Sequence, residues 1–177
     1  MTAPIRSVRQ ASRAAAVVVA ALALAFAAAC SGSGQPAPAT ETPQPFPADS
    51  PLTLVDGGQG GVTVRVTWVT PDLLASSEME RAGSLDLSQY LAFYVSLDSD
   101  AVDLLKYDLG RITVLRDLDG GEYQPEAWLP RSVASYHREG LLLFRRVELG
   151  GEGVELVIRG VGGVTERSYR WSEPPDG

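Results

Sequence analysis

The sequence predicts an all-β protein, and two features carry that expectation. Apolar residues recur at every second position in several short runs, and the runs are separated by glycine-rich turn signals. A period of two places one apolar row on a single face of a strand. In the first run Val62, Val64, Val66 and Trp68 alternate with Thr63, Arg65, Thr67 and Val69. In the second, Leu91, Phe93, Val95 and Leu97 alternate with Ala92, Tyr94, Ser96 and Asp98. Val154, Leu156 and Ile158 repeat the pattern against Glu155, Val157 and Arg159, and Tyr169 and Trp171 do so against Ser168 and Arg170.

The turn signals are Asp56-Gly57-Gly58, Asp119-Gly120-Gly121, Gly150-Gly151-Glu152-Gly153 and Gly162-Gly163. Short antiparallel strands need such turns, because glycine accepts the positive φ of a tight hairpin. The clearest hairpin pairs Ile112 to Arg116 with Glu122 to Gln124 across Asp117 to Gly121. About seven or eight strands with one-sided burial indicate an immunoglobulin-like antiparallel β-sandwich. The Cys-Trp-Cys signature of true immunoglobulin domains is absent, so a jelly roll and a Greek-key barrel stay open. Two stretches depart from the strand pattern: the polar segment Pro71 to Ser88, and Asp100 to Leu109, where Ala101, Val102, Leu104 and Leu105 suit one or two helical turns. Both read as long connections.

Ahead of this domain lies a different composition. Arg6, Arg9 and Arg13 form a basic start with no acidic residue before Glu41, and an unbroken apolar run follows from Ala14 to Ala29. That is a signal-peptide profile. As a helix the run would measure roughly 24 Å at 1.5 Å per residue, short of the ~30 Å hydrocarbon layer. Residues 31–51 are rich in Ser, Gly, Pro, Ala and Thr, with six prolines and one large apolar residue, Phe46. Such a linker favours extended polyproline II and could hold a domain up to roughly 60 Å from its anchor. The organisation expected is therefore a leader over 1–29, a linker over 30–51, a β-sandwich over 52–173 and a tail over 174–177. The roughly 120 residues between Leu52 and Trp171 suffice for one core that buries about two thirds of the unfolded surface.

The order Ala27-Ala28-Ala29-Cys30 resembles the lipobox of bacterial lipoproteins, with Ala27 standing where the family usually carries Leu. The resemblance implies a diacylglyceryl group on Cys30 and cleavage before it. Stable anchoring needs about two acyl chains, which such a modification supplies. The expected location is thus extracytoplasmic, lipid-anchored to the bacterial cell membrane or outer membrane; cleavage without lipidation would give a secreted protein. Cys30 is the only cysteine, which removes disulfides, thiol catalysis and cysteine metal sites from the folded part.

Without the leader's three arginines the chain carries twelve basic and twenty-two acidic residues, a formal charge of −10. Phosphate backbones would repel it, so nucleic acid is not an expected partner.

Candidate chemistry is sparse. Asp98, Asp100, Asp103 and Asp108 gather carboxylates near the end of one strand, and Ca²⁺ takes six to eight hard oxygen ligands. Their spacing fits no EF-hand, and solvated or Arg-paired acids and turn caps are the plainer reading. Asp117, Asp119 and Glu122 look similar, but Asp-Gly-Gly already explains them as a turn. His137, the only histidine, falls in the turn-like run Ser135 to Gly140; as a general base it would need Ser132 or Ser135, and neither lies in a nucleophile elbow. Of the aromatics, Trp68, Phe93 and Trp171 are in phase with core rows. Trp128 and Tyr136 are left as loop-side ligand-binding candidates, with His137 beside them.

A wider likeness runs through Tyr107-Asp108-Leu109, Leu115-Arg116-Asp117, Glu122-Tyr123-Gln124-Pro125, His137-Arg138-Glu139-Gly140, Glu155 to Arg159 and Glu166 to Trp171. It resembles a domain of uncharacterised exported bacterial proteins, a resemblance that implies a compact module and no particular chemistry. The expected function is a membrane-tethered extracytoplasmic module that binds an envelope or secreted protein through its loops, without catalysis or cofactor. Alternatives are a Ca²⁺ or other cation-binding module and a hydrolase using His137.

Overall fold

The computed structural model describes residues 44–77, 79, 85–146 and 153–172. Cys30, the leader, the C-terminal tail and Gly150 to Glu152 of one turn signal lie outside the described residues. Among those described, nine strands form two antiparallel sheets: β1 (Thr53–Asp56), β2 (Thr63–Val69), β3 (Tyr90–Asp98), β4 (Thr113–Asp117), β5 (Glu122–Tyr123), β6 (Ala127–Val133), β7 (His137–Arg145), β8 (Val154–Arg159) and β9 (Glu166–Trp171). The first sheet has the order β1-β2-β3-β7-β6 and the second β5-β4-β8-β9. This is the all-β sandwich that the alternation predicted, with nine strands rather than seven or eight. Two short helices, α1 (Pro71–Ser76) and α2 (Leu109–Ile112), sit in connections. Thr70 caps α1, its hydroxyl accepting from Leu73 N–H at 3.2 Å, with Pro71 at the first helical position. No helix among the described residues is long and apolar enough to cross a membrane.

The main core lies between the sheets. Val62, Val64, Val66, Trp68, Leu91, Phe93, Val95, Leu97, Leu142 and Phe144 of the first sheet or its edges face Leu115, Val154, Leu156, Ile158, Tyr169 and Trp171 of the second. Trp68, Phe93, Phe144 and Trp171 form an aromatic cluster with ring centroids 5.5–5.8 Å apart. Each such pair adds about 0.5–1.5 kcal/mol beyond the area it buries.

Strict one-sided burial holds for β9, whereas Val114, Glu155 and Val157 are buried on the outer face of the second sheet and the first sheet is covered more fully. On the outer face of β3 and β7, Ala92, Tyr94, Leu141 and Leu143 are buried in a second apolar layer with Phe46, Val69 and Met79, and Leu73, Leu74, Leu85 and Leu87 pack against it. Phe46, which composition placed in the linker, is 4% exposed and meets the Tyr94 ring edge-on at 5.3 Å. Thr53 Oγ1 donates to Pro47 O at 3.2 Å and bonds Thr67 Oγ1 at 2.9 Å. Residues 44–51 therefore belong to the folded unit. The segment Pro71 to Ser88, read as a plain connection, supplies part of this cover through α1.

At one end of the sandwich two glycine turns touch. Gly58-Gln59-Gly60-Gly61-Val62-Thr63 joins β1 to β2, and Gly160-Val161-Gly162-Gly163-Val164-Thr165 joins β8 to β9. Both carry three left-handed glycines, with φ of 85°, 58° and 72° in one and 77°, 64° and 75° in the other. A Cβ on Gly60 would lie 2.1 Å from Gly162 O, and one on Gly162 would lie 2.6 Å from Gly60 O. Arg167, its side chain 1% exposed, pairs with Asp56 and donates to Gln59 O and Val161 O. Trp171 Nε1 donates to Leu52 O at 3.2 Å, so the facing edges of the two sheets are tied at two points.

Candidate functional site

The end of the sandwich that carries the notable polar residues is built from the segment after β3 and the turn between β6 and β7. Ser99 N–H donates to Tyr136 O at 3.0 Å, and Leu104 N–H to Ser135 O at 2.7 Å. Arg138, buried at the start of β7, points inward and donates to Leu104 O at 3.2 Å and to Tyr107 O. Ser99 Oγ bonds Gly61 O at 2.6 Å, and Gly162 N–H donates to Tyr107 Oη at 2.9 Å. Four connections are thus locked into one rigid end. Its exposed side chains include Leu105 (49%), Val133 (57%) and Tyr136 (55%).

His137 departs from the sequence reading. It opens β7 opposite Asp98, with its side chain only 18% exposed, instead of sitting in a free turn. Nδ1 lies 2.6 Å from Asp98 Oδ1. Nε2 is buried, 3.4 Å from Glu139 Oε2, and makes no hydrogen bond among the described residues. Glu139 accepts from the Tyr94 hydroxyl, and Arg131 Nε lies 3.7 Å from its other oxygen. Ser96 Oγ donates to Asp98 Oδ2 at 3.0 Å while Gln44 Nε2 reaches Ser96 Oγ at 3.4 Å. Burial and the Glu139 carboxylate push the Tyr94 phenol well above its ordinary value, so it stays a neutral donor. The chain from Ser96 through Asp98, His137 and Glu139 to Tyr94 forms a polar seam on the outer face of the first sheet, beside the apolar layer. Among the described residues no hydroxyl bonds Nε2, so neither Ser132 nor Ser135 meets His137 as a nucleophile.

The four-aspartate set is dispersed. Asp98 is taken by His137, Asp103 caps a 3₁₀ turn by accepting from Leu105 N–H at 3.0 Å, and Asp108 pairs with Arg111 at 3.5 Å on the surface. Asp100 is exposed. Among the described residues no group of three or more His, Cys, Asp or Glu side chains converges as a metal site would require. Asp117 serves its turn, accepting from Gly121 N–H at 2.6 Å and Tyr123 Oη at 2.9 Å. Trp128 is half-buried against the main core rather than free, its ring over Gly140, where a Cβ would lie 2.8 Å from Cη2. Tyr136 is exposed as expected.

Two features escaped sequence reading. On the outer face of the second sheet Arg116 meets Glu122, Glu155 and Glu166 at 2.8, 2.9 and 3.4 Å; Arg159 meets Glu122 at 2.7 Å and Glu166 at 3.4 Å; Arg170 meets Glu155 at 3.3 Å. Arg116 and then Arg159 hold the Glu122 carboxyl below its ordinary value. Alternation marked these residues as solvent-facing; only the strand register made them neighbours. The second feature is a groove of about 520 Å³ along the facing edges of β1 and β9, lined by residues that include Leu54, Asp56, Glu166, Ser168 and Tyr169. Burial, with Asp56 nearby, raises the Tyr169 phenol against a smaller lowering by Arg167. Comparison with family models, curated proteins and solved structures finds no match to this chain.

Proposed function

We propose that this protein is a lipid-tethered, extracytoplasmic interaction module that holds a protein partner at the locked end of its sandwich and performs no catalysis. One observation carries the reading: Leu105, Val133 and Tyr136 are exposed on segments whose backbones are hydrogen-bonded to one another and pinned by Arg138. Preorganised apolar side chains lose little entropy on docking, and an exposed tyrosine contributes large contact area with few rotors. The leader, the Ala27-Ala28-Ala29-Cys30 sequence and the proline-rich spacer support the tether and the location.

Photo-crosslinking from position 136 in the bacterial envelope, beside the same probe at Glu122, tests the docking end. A discrete adduct from 136 alone, lost in Leu105→Ser, is expected; matching adducts from both positions would refute it. For the tether, intact mass and membrane fractionation of wild type and Cys30→Ala decide. A diacylglyceryl mass on Cys30 is expected, and an unmodified soluble product would make the protein secreted.

A hydrolase reading draws on one observation, the Asp98-oriented ring of His137. Its buried Nε2 facing Glu139 makes it the weaker reading, and any esterase activity that survives His137→Ala would end it. A cation-binding reading predicts a Ca²⁺-dependent rise in melting temperature that Asp100→Ala with Asp103→Ala abolishes.

A further inference from the structure

Of the strands that end a sheet, three are poor templates for another chain. β6 contains Pro130 and a register shift beside it, β5 has two residues and β1 has four. Proline, bulges and short length are the usual means of blunting a sheet edge. β9 has none of these: it runs regularly for six residues, Glu166 to Trp171, and among the described residues only β8 pairs with it. Gly160 N–H bonds Thr165 O at 3.2 Å, which makes Arg159 and Glu166 a pair without mutual hydrogen bonds. Alternation along an antiparallel ladder then turns the N–H and C=O of Glu166, Ser168 and Arg170 outward, away from β8. The groove of about 520 Å³ leaves space along this edge.

We infer that β9 is a self-recognition edge, along which two copies of this chain pair antiparallel with Ser168 on the two-fold axis. The side chains of the outer face select this partner. Glu166, Ser168 and Arg170 stand in a row on that face, and antiparallel pairing about Ser168 sets Glu166 of each copy opposite Arg170 of the other. Opposite charges directly across a ladder stabilise the pair, and like charges disfavour it. Arg170 has the capacity, since its side chain is 64% exposed and makes one ion pair at 3.3 Å. The outward backbone groups fall at the same three positions, so Ser168 bonds its own symmetry mate and the flanking residues continue the ladder. On the inner face the same register places Tyr169 opposite Arg167 of the second copy. The two second sheets become one continuous sheet of eight strands, and their Arg–Glu surfaces merge. The contact is isologous and closes on itself, so it ends at a dimer. It is independent of the loop-end docking reading.

The test uses the full chain carrying Cys30→Ser, so that an introduced thiol is the only one. Hydrogen-bonded antiparallel pairs hold their Cα atoms about 5.5 Å apart, inside the roughly 4.4–6.8 Å that a disulfide spans. Under mild oxidation Ser168→Cys is expected to become mostly covalent dimer while Ser76→Cys, exposed on α1, stays monomeric. In sedimentation equilibrium Ser168→Pro is expected to weaken association at least tenfold with its melting temperature nearly unchanged, because the lost N–H faces outward. Should that proline unfold the domain, Ser168→Lys sets two ammonium groups face to face and must weaken association equally. Equal crosslinking from both cysteines, an undiminished dimer in the edge variants, or a wild type that remains monomeric at its highest soluble concentration would overturn the assignment. Crosslinking of Ser168→Cys to another protein in place of its own copy would also overturn it.

Discussion

Replacing Gly162 and Gly163 in turn by alanine separates backbone conformation from close packing at one turn. Both glycines are left-handed, with φ of 64° and 75°. A left-handed alanine costs about 1–2 kcal/mol, and Gly163→Ala should cost only that, since nothing lies within 4 Å of its new Cβ. The Gly162 Cβ would meet Gly60 O at 2.6 Å and Gly60 C at 3.2 Å, backbone atoms that no rotamer change can move aside. Forcing the two turns apart adds a strain of about 1–3 kcal/mol, as overpacking does elsewhere. For a domain of this size 1 kcal/mol shifts the melting temperature by about 4 °C. Calorimetry should therefore show Gly163→Ala melting about 4–8 °C low and Gly162→Ala about 8–20 °C low. Gly60→Ala opens the same contact, so the Gly60→Ala, Gly162→Ala double variant should lose less than the two single losses together. Equal losses for Gly162→Ala and Gly163→Ala, or strict additivity in the double variant, would refute the contact.

Arg167→Met should cost about 3–5 kcal/mol in urea denaturation, because it strands Asp56 beside the core, and adding Asp56→Leu should recover much of the loss. Glu122 is held below its ordinary carboxyl value of 4.5 by Arg116 first and Arg159 next, so its contribution is present above pH 4.5 and is lost as pH falls through the lower folded value; urea titrations of Arg116→Gln should show a flatter acid limb. Tyr94 and Tyr169 are shifted upward from 10.0, chiefly by burial, so the folded state disfavours their ionisation and stability should fall as pH rises above 10. Absorbance at alkaline pH should show both phenols ionising only with unfolding, and Tyr94→Phe should shift that transition upward in pH.

Where polar or smaller residues alternate with large apolar ones, a strand announces itself, even when both faces are buried as in β3 and β8. β2, β3, β8 and β9 were legible from Val62 to Trp68, Leu91 to Leu97, Val154 to Ile158 and Tyr169 to Trp171, and the hairpin of β4 and β5 from Asp119-Gly120-Gly121, with Ile112 belonging to α2 instead of the strand. β7 was misread because Leu141 to Phe144 run apolar without alternation, and His137 and Glu139 look like loop residues until Asp98 and Tyr94 stand beside them. β6 hid behind Pro130 and the register shift that follows it. The Asp98–His137 pair spans 39 positions and depends on strand register, which local spacing cannot supply. The groups that a helical Asp100 to Leu109 would have aligned are split between a 3₁₀ turn at Leu104–Lys106 and α2, which is why the aspartates scatter. One signal was available and unread: Gly-x-Gly-Gly-Val-Thr occurs at 58–63 and again at 160–165, and the two copies are the turns that touch.

Phe46 gives the domain a mechanical order of events. Any load entering along the chain ahead of Gln44 reaches the Gln44–Ser96 contact and the edge-on ring contact with Tyr94 first, then the Thr53–Pro47 hydrogen bond, and only afterwards the β1–β2 ladder. The ring acts as a detachable clasp. When it lets go, the outer layer over Tyr94 and Leu141 loosens while the inter-sheet core is still whole. Tension on the N-terminal segment would thus uncover the polar seam around Glu139 well before the sandwich itself unravels.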